Sequence, residues 1–142
     1  MASAIVVPGT VVLVLPVHGW TVTVRAELTH GQYTAMLARM YREGDEGRTR
    51  VDPLRTGDAL MVAYLVDWTL TDHRGQRIEI RGLPPDELQD VLANLRQWVA
   101  VEVKRAIEAH ADAVTAAADE EKKIESSAVL SSETLLSAGQ LA

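Results

Sequence analysis

Residues 66–80 have the sequence VDWTLTDHRGQRIEI. Apolar and polar residues alternate on both sides of a polar turn, DHRG at 72–75, which is the pattern of two antiparallel strands joined tightly. Val66, Trp68 and Leu70 share one face of the first strand, because successive side chains point to opposite faces. The stretch therefore predicts a β-hairpin that covers one side of the core.

Two carboxylates in this stretch, Asp67 and Asp72, are the first candidates for chemistry. Asp67 falls on the face opposite Trp68, and we interpret it as a surface or capping carboxylate rather than a catalytic one. Asp72 opens the turn, where an aspartate side chain accepts hydrogen bonds from the backbone that follows it. Both are predicted to serve structure.

A first hairpin is predicted upstream. The apolar run Val11–Leu15 is typical of a buried strand, and WTVTVRAEL at 20–28 alternates as a half-exposed strand does. Residues 18–19, His-Gly, supply the turn between them. Prolines at 8 and 16 interrupt the apolar N-terminal run well short of the roughly 20 residues that span a bilayer, and no basic region precedes it. Neither a signal peptide nor a membrane segment is expected.

Two helices are predicted between the hairpins. The first runs from His30 towards Gly44 after a candidate N-cap, Thr29. The second begins at Pro53, where proline suits the first turn, and continues to about Leu65. Between the two helices, residues 43–50, EGDEGRTR, contain two glycines and alternating charge, which predicts a solvated loop.

A third, long helix is predicted in the last part of the chain. LPPDE at 83–87 combines prolines at the helix entry with carboxylates in the first turn. One apolar stripe follows at helical spacing: Leu88, Val91, Leu92, Leu95, Trp98, Val99, Val103 and Ala106. The predicted fold class is therefore α+β, with small antiparallel β-hairpins packed with three helices, the last one long.

The apolar positions shrink to alanine beyond about Ala109, which predicts a change of role. Residues 1–110 are expected to form a single α+β domain, and 111–142 a helical extension and Ser-rich tail for association. The final Ser-rich segment suits a docking peptide as well as it suits disorder. The candidate partner-binding residues are Val114, Leu130, Leu135 and Leu136. The protein is expected to be a homo-oligomer.

Composition restricts the class of function. With 142 residues and 47% hydrophobic content, the chain has the length of one domain and enough apolar side chains for a core. Because aromatic residues make up only 4% and Phe is absent, Trp20, Trp68 and Trp98 are predicted core anchors. A net charge of −6, without a basic cluster, disfavours nucleic acid as a partner.

Motifs of chemistry are missing from the sequence. The four histidines show no metal-ligand spacing, the chain has no cysteine, and neither a phosphate-binding loop nor a nucleophile elbow occurs. His110, on the extension of the apolar stripe, is interpreted as an interface histidine. No catalytic, cofactor-binding or metal-binding residues are predicted, and the protein is expected not to be an enzyme.

Four motifs follow one another over residues 20–110. They are VTVRAEL at 22–28, Thr-x-x-x-Tyr at 29–33 opening a helix, VDWTLTDHRGQRIEI at 66–80, and LPPDE at 83–87. In this order they resemble the small tail assembly chaperones of long-tailed bacteriophages. The element closest to the family pattern is VDWTLTD with Gly75 following, similar to its recurrent hairpin of tryptophan, leucine, threonine, aspartate and glycine.

The resemblance implies a non-enzymatic protein that acts in the host cytoplasm during infection. Such a chaperone coats the long tape-measure protein and helps to recruit tail-tube subunits. The rival hypothesis is a structural virion component, such as a head-tail connector, tail terminator or decoration subunit, which stays in the particle. A small hydrolase or metal enzyme is a third class. Presence in purified particles distinguishes the first two.

Overall fold

Across the residues that it describes, the computed structural model contains two small antiparallel sheets and four helices, which is an α+β fold as predicted. The structure describes the backbone of residues 3–43, 49–51 and 53–141, and it describes the side chains of residues 3–41 and 55–126. The elements follow the chain as β1 (Thr10–Val14), β2 (Thr21–Arg25), α1 (His30–Met40), β3 (Tyr41–Glu43), β4 (Thr49–Val51), α2 (Pro53–Tyr64), β5 (Leu65–Trp68), α3 (Pro85–Ala93) and α4 (Gln97–Leu141).

The main sheet has the strand order β1-β2-β5, with both pairs antiparallel. Its central strand β2 alternates as the sequence predicts, since Val22 and Val24 are fully buried while Thr21 and Thr23 are half-exposed. The β1–β2 turn uses two residues in the left-handed region, His18 (φ 54°) and Gly19 (φ 66°). The first predicted hairpin is confirmed, but β1 lies at the edge of the sheet with Val12 and Val14 exposed, so its prediction as a buried strand is wrong.

The second predicted hairpin, over residues 66–80, is present in a reduced form. Its first strand β5 pairs with β2, whereas the return segment joins it by a single bridge between Thr71 and Arg77. A hydrogen bond of 2.9 Å from the Ile78 N–H to the Leu70 carbonyl oxygen continues this link. The stretch therefore adds a third strand to the main sheet and then folds back across the core.

Helix α1 begins as predicted and ends earlier. Thr29 and Gln32 form a capping box, with the Gln32 N–H donating to Thr29 Oγ1 at 3.1 Å and the Thr29 N–H to Gln32 Oε1 at 2.9 Å. The helix stops at Met40 because Tyr41 is extended and pairs with Val51, so its predicted continuation to Gly44 is wrong. Of the loop predicted at 43–50, the two ends belong to β3 and β4, and residues 44–48 lie outside the described residues.

Helix α2 contains a glycine, Gly57, whose lack of a side chain has a role in the packing. A Cβ added there would lie 2.5 Å from Cε of Lys104, on α4. The missing side chain therefore leaves room for the lysine stem of a neighbouring helix.

The single long helix predicted from residue 83 is wrong, because the structure divides it into α3 and α4. Asn94 supplies the physical reason, since its side-chain Nδ2 donates to the Asp90 carbonyl oxygen at 2.8 Å. That oxygen would accept the Asn94 N–H in a continuing helix, and the N–H instead bonds the carbonyl oxygen of Val91 at 3.1 Å. Four helices are thus described where three were predicted.

The buried face of α4 differs from the predicted apolar stripe. Val99, Val103 and Ile107, at spacings of four, are 5%, 0% and 0% exposed. Trp98 lies one position away, about 100° around a helix, and is 39% exposed. Its prediction as a core anchor is wrong, whereas Trp68 is 1% exposed and is a core residue as predicted.

The chain separates into two compact units, Met1–Ala109 and His110–Ala142. Among the described residues, the buried apolar side chains range from Leu15 to Ile107, so this core belongs to the first unit. In the second unit Val114 is half-buried. The other candidate partner-binding residues, Leu130, Leu135 and Leu136, lie within α4, with side chains outside the described part.

A chain that ends at His110 is expected to keep its cooperative thermal unfolding, because the buried apolar side chains of the described residues all lie between Leu15 and Ile107. Circular dichroism measures the unfolding, and light scattering on the same sample measures the mass. The shortened chain should lose whatever association the distal segment carries. Melting without cooperativity would show that the distal helix belongs to the core.

Candidate functional site

The turn at residues 72–75 is fixed by Asp72. Its Oδ1 accepts from the Arg74 N–H at 2.8 Å and from the Gln76 N–H at 3.0 Å, so the prediction that Asp72 supports the turn is confirmed. Gly75, with φ 76°, supplies the left-handed residue that closes it. The turn is thereby held in one conformation, with His73 at its tip.

Trp68 ties the segment after this turn to the sheet. Its indole Nε1–H donates to the Ile78 carbonyl oxygen at 2.8 Å, which satisfies the one polar atom of a side chain that is otherwise in the core. Ile78 itself remains half-buried. It is therefore available as a wall of the cleft described below.

The rings of His18, Trp20 and Trp98 lie close together, and we call these three residues the aromatic cluster. The His18 and Trp20 ring centroids are 4.8 Å apart, and the Trp20 and Trp98 rings are stacked at 6.5 Å with an interplanar angle of 18°. Trp20 is half-buried and Trp98 is exposed. The cluster thus presents aromatic surface to solvent, and Trp20 is more buried than Trp98.

Arg96 extends the cluster. Its guanidinium carbon lies 5.6 Å from the Trp98 ring centroid, within the range of a cation–π contact. Arg96 is in the connection between α3 and α4, so the interruption caused by Asn94 also places this cation beside the rings. An exposed indole and a guanidinium are therefore adjacent.

An open cleft of about 480 Å³ lies between the aromatic cluster, the 72–75 turn and the α3–α4 connection. Its apolar lining is Trp20, Leu70, Ile78, Leu95 and Val99, and its polar lining is Thr71, Asp72, His73, Asn94 and Arg96. The lining combines an apolar floor with polar groups at the surrounding turns. Such a composition suits an apolar group with a polar neighbour.

The buried carboxylate of Asp67 forms a separate cluster. Its Oδ2 lies 2.6 Å from Arg77 Nη2 and 3.2 Å from Arg81 Nη2, and its Oδ1 accepts from the Trp68 N–H at 2.9 Å. Asp67 is 6% exposed, so its prediction as a surface carboxylate is wrong. The sequence did not indicate that Arg77 and Arg81, ten and fourteen residues later, would both contact this carboxylate.

The charge state of Asp67 follows from these contacts. Burial alone would raise the pKa of its carboxyl, but the hydrogen bonds from Arg77 and Trp68 and the positive charges of Arg77 and Arg81 outweigh burial. They hold the pKa below its ordinary value of 3.8. The same pairing raises the pKa of Arg77. A carboxylate held ionised in this way is a poor proton donor at neutral pH.

Two of the three predicted core anchors, Trp20 and Trp98, contact each other at the surface and are not core residues. Trp20 and Trp98 stack at the surface, and Trp68 lies in the core. The only sequence signal for the cluster was the presence of tryptophan in a chain without Phe, since Trp20 and Trp98 are far apart in the sequence. Neither the cleft nor its lining was predicted.

Within the described ranges, no three histidine, aspartate or glutamate side chains are grouped as a metal ion would require. In the same part of the chain, no helix has the length and apolarity needed to cross a membrane. Comparison with family models, curated proteins and solved structures finds no match. A proposal for function therefore depends on the surface of this chain.

Proposed function

We propose that the protein is a non-enzymatic tail assembly chaperone of a long-tailed phage, which binds tape-measure helices at the aromatic cluster and cleft. The observation that carries the proposal is the stacked Trp20–Trp98 pair, partly exposed beside an apolar cleft. Exposed tryptophan with a neighbouring arginine is the composition of protein-binding hot spots. The four sequence motifs that resemble the chaperone family supply the choice of client.

The size and position of the surface favour a macromolecule over a small ligand. A volume of about 480 Å³ would suffice for a small molecule, but Trp98 is not part of the cleft lining and stays 39% exposed beside it. A ligand confined to the cleft would leave this indole in water. An amphipathic helix is long enough to place one apolar side chain in the cleft and another against Trp98.

The electrostatics of the buried carboxylate agree with a non-enzymatic role. Asp67 has both oxygens engaged and a lowered pKa, so it is a weak base and is already deprotonated at neutral pH. Its contacts with Trp68, Arg77 and Arg81 instead join the sheet to the segment that carries the cleft. We therefore assign Asp67 to the scaffold.

The mechanism requires only weak individual contacts. The tape measure is a long helical chain with apolar faces, and many copies bound along it would gain avidity from one another. Each copy would cover an apolar face until tail-tube subunits replace it. This places the protein in the host cytoplasm during assembly, whereas retention in the particle would favour the rival virion component.

Trp98→Ala is expected to weaken binding of the tape measure by about tenfold or more, since it removes a hot-spot side chain. The tagged protein is used to capture the tape measure from infected cells, and the captured amount is measured by mass spectrometry at several bait concentrations. Because Trp98 is 39% exposed, the variant should still fold and unfold cooperatively, and its melting temperature is measured alongside the capture.

Tyr33→Ala is the matched control, because Tyr33 is an exposed aromatic residue, 48% accessible, on α1 and outside the cleft lining. It should capture the tape measure as the wild type does. Equal capture by wild type and Trp98→Ala would reject the aromatic surface as the binding site. Equal loss in both variants would show a non-specific effect of removing aromatic surface.

A further inference from the structure

A second apolar surface lies at the start of the fold, on residues other than those that line the cleft. Among the described residues, eight large hydrophobic side chains are exposed, and four of them, Ile5, Val7, Val12 and Val14, lie within ten residues of one another in the sequence. Val12 and Val14 are 58% and 71% exposed on β1, and because they are two residues apart their side chains lie on the same face. Neighbouring exposed apolar residues of this kind mark an interaction surface.

The outer edge of β1 also offers unpaired backbone groups. The Ala26 N–H donates to the Gly9 carbonyl oxygen and the Leu15 N–H to that of Trp20, so the odd-numbered residues of this strand face β2. In an antiparallel ladder the intervening residues point the other way. Thr10, Val12 and Val14 therefore direct N–H and C=O away from the sheet. In the described part of the chain, no strand pairs with that edge.

Two prolines mark the ends of the edge that can pair. Pro8 and Pro16 each lie four residues from Val12, and proline has no N–H to donate to a ladder. If β1 paired with itself around a two-fold axis at Val12, Pro8 of one copy would oppose Pro16 of the other. The ladder would then end at a proline pair on both sides.

We propose that β1 pairs antiparallel with β1 of a second copy, with Val12 on the two-fold axis. Thr10 of each copy lies opposite Val14 of the other, and each of the three facing pairs exchanges two backbone hydrogen bonds. The two main sheets become one continuous sheet of six strands. The two copies of Val12 and Val14 then cover one another on the outer face.

The chemistry of the strand favours a second copy over another partner. β1 has the sequence TVVLV and carries no charge, although the chain has a net charge of −6. Exposed edges are usually blunted by charge or by a proline within the strand, and β1 has neither. An uncharged strand lets two acidic chains meet about a two-fold axis without bringing like charges together, and β1 is such a strand.

The test is the mass of the protein in solution, measured by sedimentation equilibrium for wild type, Val12→Lys and Val12→Glu. The wild type should dimerise at concentrations up to about 1 mM, the range expected for a contact smaller than a standard interface. Each variant alone should have half the wild-type mass, because like charges meet on the axis. An equimolar mixture of the two variants should recover the wild-type mass, because opposite charges then meet.

Thr23→Lys is the matched control. Thr23 lies on β2 and pairs with Val12 of β1. In the dimer the two Thr23 positions would be separated by three strand spacings, about 14 Å. At that distance salt screens the repulsion between two lysines. It should keep the wild-type mass. Trp98→Ala should keep it too, which separates this proposal from the proposed function.

Three results would overturn the proposal: a monomeric wild type up to about 1 mM, wild-type mass in both charged variants, or no recovery on mixing. Misfolding does not obscure the result, since Val12 is exposed and the melting temperature of each variant is measured alongside. A variant that loses mass through misfolding cannot recover it when mixed with the other variant.

Discussion

Replacing Trp68 with Ala should lower the free energy of unfolding by about 3–5 kcal/mol, as removing a large buried aromatic side chain does. Trp68 is 1% exposed, and its indole N–H is the donor that holds the Ile78 carbonyl oxygen at 2.8 Å. The substitution therefore creates a cavity and releases the segment that forms one wall of the cleft. Urea unfolding followed by circular dichroism measures the change.

Trp98→Ala is the matched control for this experiment, since it deletes the same side chain from a position that is 39% exposed. Its cost in stability should be smaller, because less apolar surface is lost from the interior than at Trp68, which is 1% exposed. Trp68→Phe should fall between the two, keeping apolar volume but losing the donor to Ile78. A Trp68→Ala protein that remains as stable as the wild type and fails only in binding would contradict the placement of Trp68 in the core.

The second large effect is expected at Asp67. Asp67→Ala removes the acceptor of the Trp68 N–H and the shared partner of Arg77 and Arg81, and should lower stability by about 1–3 kcal/mol at neutral pH. The loss of stability arises mainly from the missing carboxylate, which leaves the buried Trp68 N–H without its acceptor. The two arginines cost less, because their side chains can turn towards water. Chemical unfolding at pH 7 measures it.

The lowered pKa of Asp67 determines how the stability difference between wild type and Asp67→Ala should change with pH. Because the folded-state pKa of Asp67 is below its ordinary value of 3.8, the ionised carboxylate stabilises the fold above that pH. The contribution is lost as the pH falls through the folded-state pKa. The stability difference between wild type and Asp67→Ala should therefore be constant near neutrality and shrink below about pH 4.

Asp86→Asn is the control for Asp67, since Asp86 also pairs with an arginine, Arg39, at 3.1 Å but has a side chain that is 93% exposed. An exposed pair contributes about 0–1 kcal/mol, so this variant should remain near wild type at every pH. If Asp67→Ala followed the same flat profile, the buried ion cluster would have no role in stability.

The hairpins and helix starts could be predicted because their signals are local. Alternation in β2, the turn chemistry of Asp72 and the cap at Thr29 each involve residues within a few positions, and each is present in the structure. Physical rules of this range act whatever the rest of the chain does. The α+β class followed from counting these signals.

The break at Asn94 could not be predicted from the apolar stripe. Asparagine is tolerated within helices, and whether its side chain takes the Asp90 carbonyl oxygen depends on the packing of both helices. The stripe also misjudged the buried face of α4, since it included Trp98, which is 39% exposed, and omitted Ile107, which is 0% exposed.

The candidate site itself depends on contacts between distant parts of the chain. Trp20 and Trp98 meet only after the sheet and α4 have packed, and Arg77 reaches Asp67 only after the 72–75 turn reverses the chain. No periodicity in the sequence encodes such a meeting. For this reason the tryptophans were identified as important residues while their surface role was not.

The most direct test of the central claim is quantitative mass spectrometry on one infected culture, applied both to the complex captured with the tagged protein and to purified particles. We expect the tape-measure protein to be enriched in the captured complex and this protein to be absent from finished particles. A fixed copy number of this protein in the particles, or a captured complex without the tape measure, would contradict it.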